Sequence, residues 1–305
     1  MKNVVTILEA TKTKPSNLFT QLKSLLSNSN KLIMTFFKSF YALLLLVSVI
    51  IYLGCSRGPY ASTNKSYKKQ AKAFANIIKQ APVKDSFSSV PWVGTTNFNL
   101  RKPNFVIIHH TAQNSCDQTL KTFTLPRTQV SAHYVICKDG IIHHMLNDYL
   151  RAWHGGVARW GNNTDINSSS IGIEIDNNGF EPFTNQQINS LLALLSSLKR
   201  AYVIPTANFI GHADIAPTRK NDPNVNFPWK ILADSGYGVW WSDTAGVTVP
   251  QDFNNLQALR IIGYDIKDSA AAIQSFKRKF EQIDKSAFLT EEDRKILFTL
   301  YQKYQ

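Results

Sequence analysis

Cysteine is scarce in this chain of 305 residues: there are three, too few for a fold stapled by many disulfides. No internal repeat is present, which excludes a solenoid or propeller. No apolar run reaches the ~20 residues of a bilayer-spanning helix. Acidic residues are in deficit, 21 Asp and Glu against 34 Lys and Arg, giving a formal charge of +13. Such a charge suits an acidic polymer, whether nucleic acid, anionic lipid or cell wall. No helix-turn-helix, zinc-knuckle or RNA-binding pattern accompanies it, and the basic residues are scattered, so nucleic acid is not the expected partner. No protein partner can be inferred. What is present in quantity is apolar residue, 44%, enough for the packed cores of one to three domains.

The apolar stretch Phe40–Leu53 ends at Gly54-Cys55. It is short for a membrane span and right for the core of a signal peptide, with Lys38 as its positive flank. Leu53-Gly54-Cys55 resembles the lipobox of bacterial lipoproteins, in which the cysteine becomes lipidated after cleavage. Tyr52 departs from the usual Leu, and an uncleaved membrane anchor is the alternative. The resemblance implies a chain anchored to the bacterial envelope through Cys55, with Ser56 compatible with the outer membrane and a fold facing the periplasm. Residues 1–33 are too long and polar for a signal-peptide start, whereas Met34-Thr-Phe-Phe-Lys38 is an ordinary one. The expectation is a signal peptide over 34–54, with 1–33 a mis-annotated or disordered extension. Two cysteines then remain, Cys116 and Cys137, open to two readings: a disulfide or two buried thiols.

Residues 55–91, rich in Lys, Ser, Asn and Gln with a weak helical stretch around Ala71–Lys79, read as a tether. A first folded domain is expected over 92–246. Phe105–Ile108 is a continuous apolar run and predicts a buried strand. Lys138-Asp139-Gly140 between Ala132–Cys137 and Ile141–Leu146 signals a hairpin. Ile171–Asp176 alternates with period two, placing Gly172, Glu174 and Asp176 on the face opposite three isoleucines. Thr184 and Gln187 form a capping box ahead of Ile188, Leu191, Leu192, Leu195 and Leu198 at helical spacing. A short strand at Asn208–Ile210 follows. Strands alternating with a long helix predict an α/β domain with a mixed sheet. Over 247–305 the pattern is helical alone: three short helices around Leu259, Phe276 and Leu297, the last opened by Thr290. No cluster of nucleophile, base or metal ligand occurs there, so the helical domain is expected to bind rather than catalyse.

The chemistry concentrates in Gly211–Pro223. His212 and Asp222 offer an imidazole and a carboxylate, both good zinc ligands, and His109 at the end of the first strand is a third. Two His and one Asp leave a coordination position open, as catalytic rather than structural zinc requires.

Five blocks occur in order: Phe105-Val-Ile-Ile-His-His-Thr-Ala112, Val130-Ser-Ala-His-Tyr-Val135, Ala152-Trp-His-Gly155, Ser170-Ile-Gly-Ile-Glu174 and Gly211-His-Ala-Asp-Ile-Ala-Pro217. The set resembles the zinc-dependent N-acetylmuramoyl-L-alanine amidases, of the superfamily shared with peptidoglycan recognition proteins, and most of all their outer-membrane lipoprotein branch. Phe253–Tyr301 resembles a three-helix peptidoglycan-binding module. The resemblance implies one Zn2+ per chain on His109, His212 and Asp222, with Glu174 as proton carrier and Lys220 beside the metal. The reaction it implies is hydrolysis of the amide between N-acetylmuramic acid and L-alanine in peptidoglycan or muropeptides. A non-catalytic peptidoglycan-binding protein is the rival. Phage-type members place a catalytic Tyr where this chain has Ala132, so the proton transfers rest on Glu174. His110, His133, Trp153 and His154 are candidates to line the substrate cleft, with core packing the alternative for each. Asp214 reads as a loop-stabilising residue rather than a ligand.

Overall fold

The computed structural model describes residues 33–46, 58–79, 102–282 and 286–305, with a few isolated positions before and between them. Cys55, most of the extension 1–33 and residues 47–54 lie outside the described residues. Among the described residues no helix is long and apolar enough to cross a membrane. The chain divides into two compact units, Met1–Val93 and Gly94–Gln305. In the first, the helix expected around Ala71–Lys79 runs longer, over Ala61–Ile78. The second unit carries everything that follows.

Its elements run in the order β1 (Phe105–His110), α1 (Cys116–Thr124), β2 (Tyr134–Ile136), β3 (Ile142–His144), β4 (Ser170–Ile175), α2 (Asn185–Tyr202), β5 (Phe209–Gly211), α3 (His212–Ile215), α4 (Trp229–Asp234), α5 (Asn255–Ile262), α6 (Ser269–Phe280) and α7 (Glu291–Lys303). The five strands form one sheet in the order β3-β2-β4-β1-β5. β1 pairs parallel with β4 and β5, β2 parallel with β4, and β2 antiparallel with β3. The mixed α/β sheet expected from the sequence is therefore present.

Period two sorts the sheet into faces. Val106, Ile108, Ile171, Ile173 and Ile175 pack with Ile188, Leu191, Leu195 and Leu198 of α2 in one core. Ile107 and Ile210 point the other way and share a second core with Leu259, Ile262, Phe276, Leu297 and Leu300 of the three C-terminal helices. Each buried aliphatic side chain of this kind contributes ~1.5–3 kcal/mol. The C-terminal helices thus complete the core beneath the sheet.

The ends of these helices follow their capping residues. Thr184 accepts from the Gln187 N–H in the expected capping box, and Thr290 does the same with Asp293. Gly263 closes α5 at φ 136°, a conformation that only glycine adopts readily. α1 and α4 were not legible from periodicity. α1 begins at the N-cap Ser115, whose side chain accepts from the Gln118 N–H. Cys116 at its start is joined to Cys137 after β2 in a disulfide with a Cα separation of 5.3 Å, which settles the choice the sequence left open.

Candidate metal centre and catalytic residues

Parallel strands β1, β4 and β5 end at one edge of the sheet, and such edges are where α/β folds place ligands. Register sets the neighbours: His109 pairs with Glu174, and Ile108 pairs with Gly211, so that His212 follows at the same edge. His109 and Glu174 share the face opposite α2. The loop after α3 brings back Asp222, whose carbonyl accepts from the Ala213 N–H at 2.8 Å.

Three donor atoms converge there. Nδ1 of His109 and Nδ1 of His212 are 2.9 Å apart, and each lies 3.0 Å from Oδ2 of Asp222. All three residues are buried, and they form a group able to hold a metal ion. The outer hydrogen bonds fix what these atoms carry. Nε2 of His212 faces the carbonyl of Gly155 at 3.1 Å, an acceptor only, so that nitrogen bears the proton and Nδ1 presents a lone pair. The Ser170 hydroxyl donates to the Ile166 carbonyl at 2.6 Å and accepts from Nε2 of His154 at 3.2 Å. Nδ1 of His154 then accepts from Nε2 of His109 at 3.1 Å, leaving Nδ1 of His109 a lone pair too. Burial, then His212 beside it, lowers the His109 pKa to about 4, keeping the ring neutral. Two imidazole lone pairs and a carboxylate oxygen facing one another in a buried site form a cradle that a divalent cation satisfies. The residues fit the group.

Glu174 lies at the rim, Oε1 4.0 Å from Nδ1 of His109. Burial, then the Asp222 carboxylate, pushes its carboxyl well above the ordinary range, while the Lys220 ammonium opposes the shift. Lys220 thus acts on the site through its charge, and the same charge lowers His109.

The four other candidates divide. His133 is fully buried: Nδ1 accepts from the Gly172 N–H and Nε2 donates to the Leu150 carbonyl, leaving neither nitrogen for a substrate. His154 is buried behind His109 and holds its tautomer rather than facing the cleft. His110 is also buried, and its Nδ1 accepts from the Asn224 N–H at 3.0 Å. Trp153, about half exposed, keeps a face available. The sequence reading missed Ser170 and Asn167. Oδ1 of Asn167 accepts from the N–H groups of His154 and Gly155, fixing the loop that contacts both histidine ligands. Ser170 stood in a recognised block; Asn167 carried no local signal. Asp214 is not part of the donor group and accepts from the Gly211 N–H, as a loop-stabilising residue does.

Comparison with known proteins identifies the family. Residues 99–225 match the model of the Amidase_2 family, N-acetylmuramoyl-L-alanine amidase. The chain is 31% identical over 230 residues to the N-acetylmuramoyl-L-alanine amidase AmiD of Escherichia coli strain K12, covering 65% of this chain and 82% of that protein. The 1,6-anhydro-N-acetylmuramyl-L-alanine amidase AmpD of Haemophilus influenzae is 38% identical over 108 residues, 35% of this chain and 59% of that one. Among solved structures, AmiD in complex with anhydro-N-acetylmuramic acid-L-Ala-D-gamma-Glu-L-Lys superposes with a TM-score of 0.61 at 29% identity, covering 69% of this chain and 93% of that chain. AmpDh3 of Pseudomonas aeruginosa gives 0.62 at 28%, covering 74% and 99%.

Proposed function

This chain belongs to the N-acetylmuramoyl-L-alanine amidases, and on that premise we propose a zinc-dependent hydrolysis carried by His109, His212, Asp222, Glu174 and Lys220. The scissile bond is the amide joining the lactyl group of N-acetylmuramic acid to L-alanine in peptidoglycan or its muropeptide fragments. The single observation that carries the reading is the convergence of three buried lone-pair donors beside a carboxyl held above its ordinary pKa range.

His109, His212 and Asp222 would hold the ion. When bound, zinc supplies polarisation of a carbonyl and acidification of water. Glu174 takes a proton from the attacking water and returns it to the departing amine of L-alanine. The two steps balance as amide plus water giving lactyl carboxyl plus free amine. Lys220 sets a positive charge where the oxyanion develops, a contribution whose removal typically costs about 10²–10³ in rate. His154 and Ser170 keep the His109 proton on Nε2, so its Nδ1 stays available as a donor atom. The half-exposed Trp153 offers a flat apolar face suited to a sugar ring.

The lipobox-like Leu53-Gly54-Cys55 supports a cell-envelope location, with lipidation at Cys55 and an outer-membrane position facing the periplasm. Residues 247–305 serve as a peptidoglycan-binding module. Mass spectrometry of products from a defined muropeptide tests the activity, with wild type beside chelator-treated protein. Release of a peptide beginning with free L-alanine, lost with chelator, is the expected result. Binding of purified sacculi without peptide release would favour the non-catalytic reading.

A further inference from the structure

The C-terminal helices reach into the amidase fold at one point with a charged side chain. Lys279 of α6 is buried, and its Nζ lies 3.0 Å from Oδ2 of Asp214 and 4.3 Å from the centroid of the Trp229 ring. Asp214 is itself only 2% exposed. Its Oδ1 accepts from the Tyr264 hydroxyl at 2.8 Å and from Ser275 Oγ at 3.4 Å. Its Oδ2 also accepts from the Gly211 N–H at 2.8 Å. Tyr264, Ser275 and Lys279, which bond this carboxylate alongside Gly211, all come from the segment after residue 247.

Asp214 lies on α3, a single turn that begins at His212. Gly211, tied to Asp214, directly precedes His212 and ends β5. Ala213, between His212 and Asp214, donates its N–H to the carbonyl of Asp222 at 2.8 Å. One helical turn thus joins Asp214 to two of the three metal donors. A carboxylate buried this deeply persists only when charged and hydrogen-bonding partners compensate its lost hydration. Without Lys279 and Tyr264, α3 must move so that water reaches Asp214, and His212 and the Asp222 backbone move with it.

We propose that Lys279 and Tyr264, supplied by the C-terminal helices, are positioning residues for the metal centre, acting through Asp214 to hold His212 and Asp222 in place. The C-terminal unit then has a role beyond holding peptidoglycan: it completes the outer support of the catalytic site. This rests on the metal-site reading above, so the test reads metal affinity apart from turnover.

The experiment uses the full chain with Lys279→Met and Tyr264→Phe, and with Lys303→Met as a control on the exposed side of α7. Zinc affinity is measured by competition with a chromophoric chelator, well below each variant's melting temperature. Muropeptide kcat and KM, and binding to purified sacculi, are measured in parallel. Expected are a zinc affinity weakened about 10- to 100-fold, as outer-shell changes typically give, a fall in kcat with KM little changed, and intact sacculus binding. Lys303→Met should match wild type. Folded Lys279→Met or Tyr264→Phe protein with wild-type zinc affinity and kcat overturns the proposal, because a purely structural role lowers melting temperature without moving either. Should Lys279→Met not fold, Tyr264→Phe, which deletes one hydroxyl, decides alone. Wild-type protein that binds no zinc would instead overturn the metal-site reading beneath it.

Discussion

A Cβ atom on Gly172 would lie 2.4 Å from Cγ of His154. The imidazole that fixes the tautomer of His109 rests directly on the bare backbone of β4, two residues before Glu174. The sequence puts Gly172 on the same face as Glu174; the group that packs against it there is a protein side chain.

Gly172→Ala must therefore push His154 off the strand and break its bond to His109 Nε2. Overpacking of this kind costs about 1–3 kcal/mol, and loss of the outer hydrogen bond should weaken metal binding about 10- to 100-fold. Thermal denaturation with chelator competition checks both. Wild-type affinity in a folded Gly172→Ala protein would show that His154 does not orient the ligand.

Glu174→Gln keeps the side chain's size and removes its ability to carry a proton. The expected loss in kcat is about 10²–10⁴-fold, with zinc content unchanged because Glu174, 4.0 Å from Nδ1 of His109, is not one of the three donors. Steady-state kinetics and elemental analysis of the same preparation test this. Full activity in the variant would move the proton transfers to another group.

How much of this was legible in the sequence depended on the range of the interaction. The donors His109, His212 and Asp222 stand in dense local motifs, and strand periodicity sets Glu174 opposite its isoleucines; the pairing of β1 with β4 is what puts His109 beside it. The role of His154 was not legible, because its partners Ser170 and His109 are fixed by strand order and an irregular loop. The same limit hid the engagement of Lys279 with Asp214, 65 positions apart. A lysine at a position buried in α6 gives no sign of its partner until the helices are docked. The change in sequence pattern near 246 suggests a boundary, but Gly94–Gln305 forms one compact unit, in which Ile107 and Ile210 share a core with Phe276 and Leu297.

Metal removal should destabilise the fold as well as silence it. Without a cation, two imidazole lone pairs and a carboxylate oxygen face one another within 2.9–3.0 Å. Binding to the folded form alone adds RT ln(1 + [L]/Kd), about 2.7 kcal/mol at a free metal concentration 100 times Kd. In a domain of this size that is several degrees of melting temperature. Calorimetry with and without chelator measures the shift, and restored zinc should reverse it. Identical melting curves would show that the three donors do not share an ion.

Glu281, at the end of α6, gives the C-terminal helices a pH dependence of their own. Burial, then the Asp293 carboxylate nearby, raises its pKa to about 7, with Lys277 at 3.7 Å opposing. Among the described residues its Oε1 has no hydrogen-bond partner. The folded pKa is above the unfolded value of about 4.5, so the fold binds the proton more tightly than the unfolded chain. The stability gained from that proton is complete below pH ~4.5 and is lost as pH rises toward 7. Glu281→Gln, neutral at every pH, should flatten that window and leave the variant more stable than wild type at pH 8, by on the order of 1–3 kcal/mol. Urea denaturation at pH 5, 6, 7 and 8 tests it. Parallel stability curves for the two proteins would mean that Glu281 titrates alike in the folded and unfolded chain, through water reaching its carboxyl.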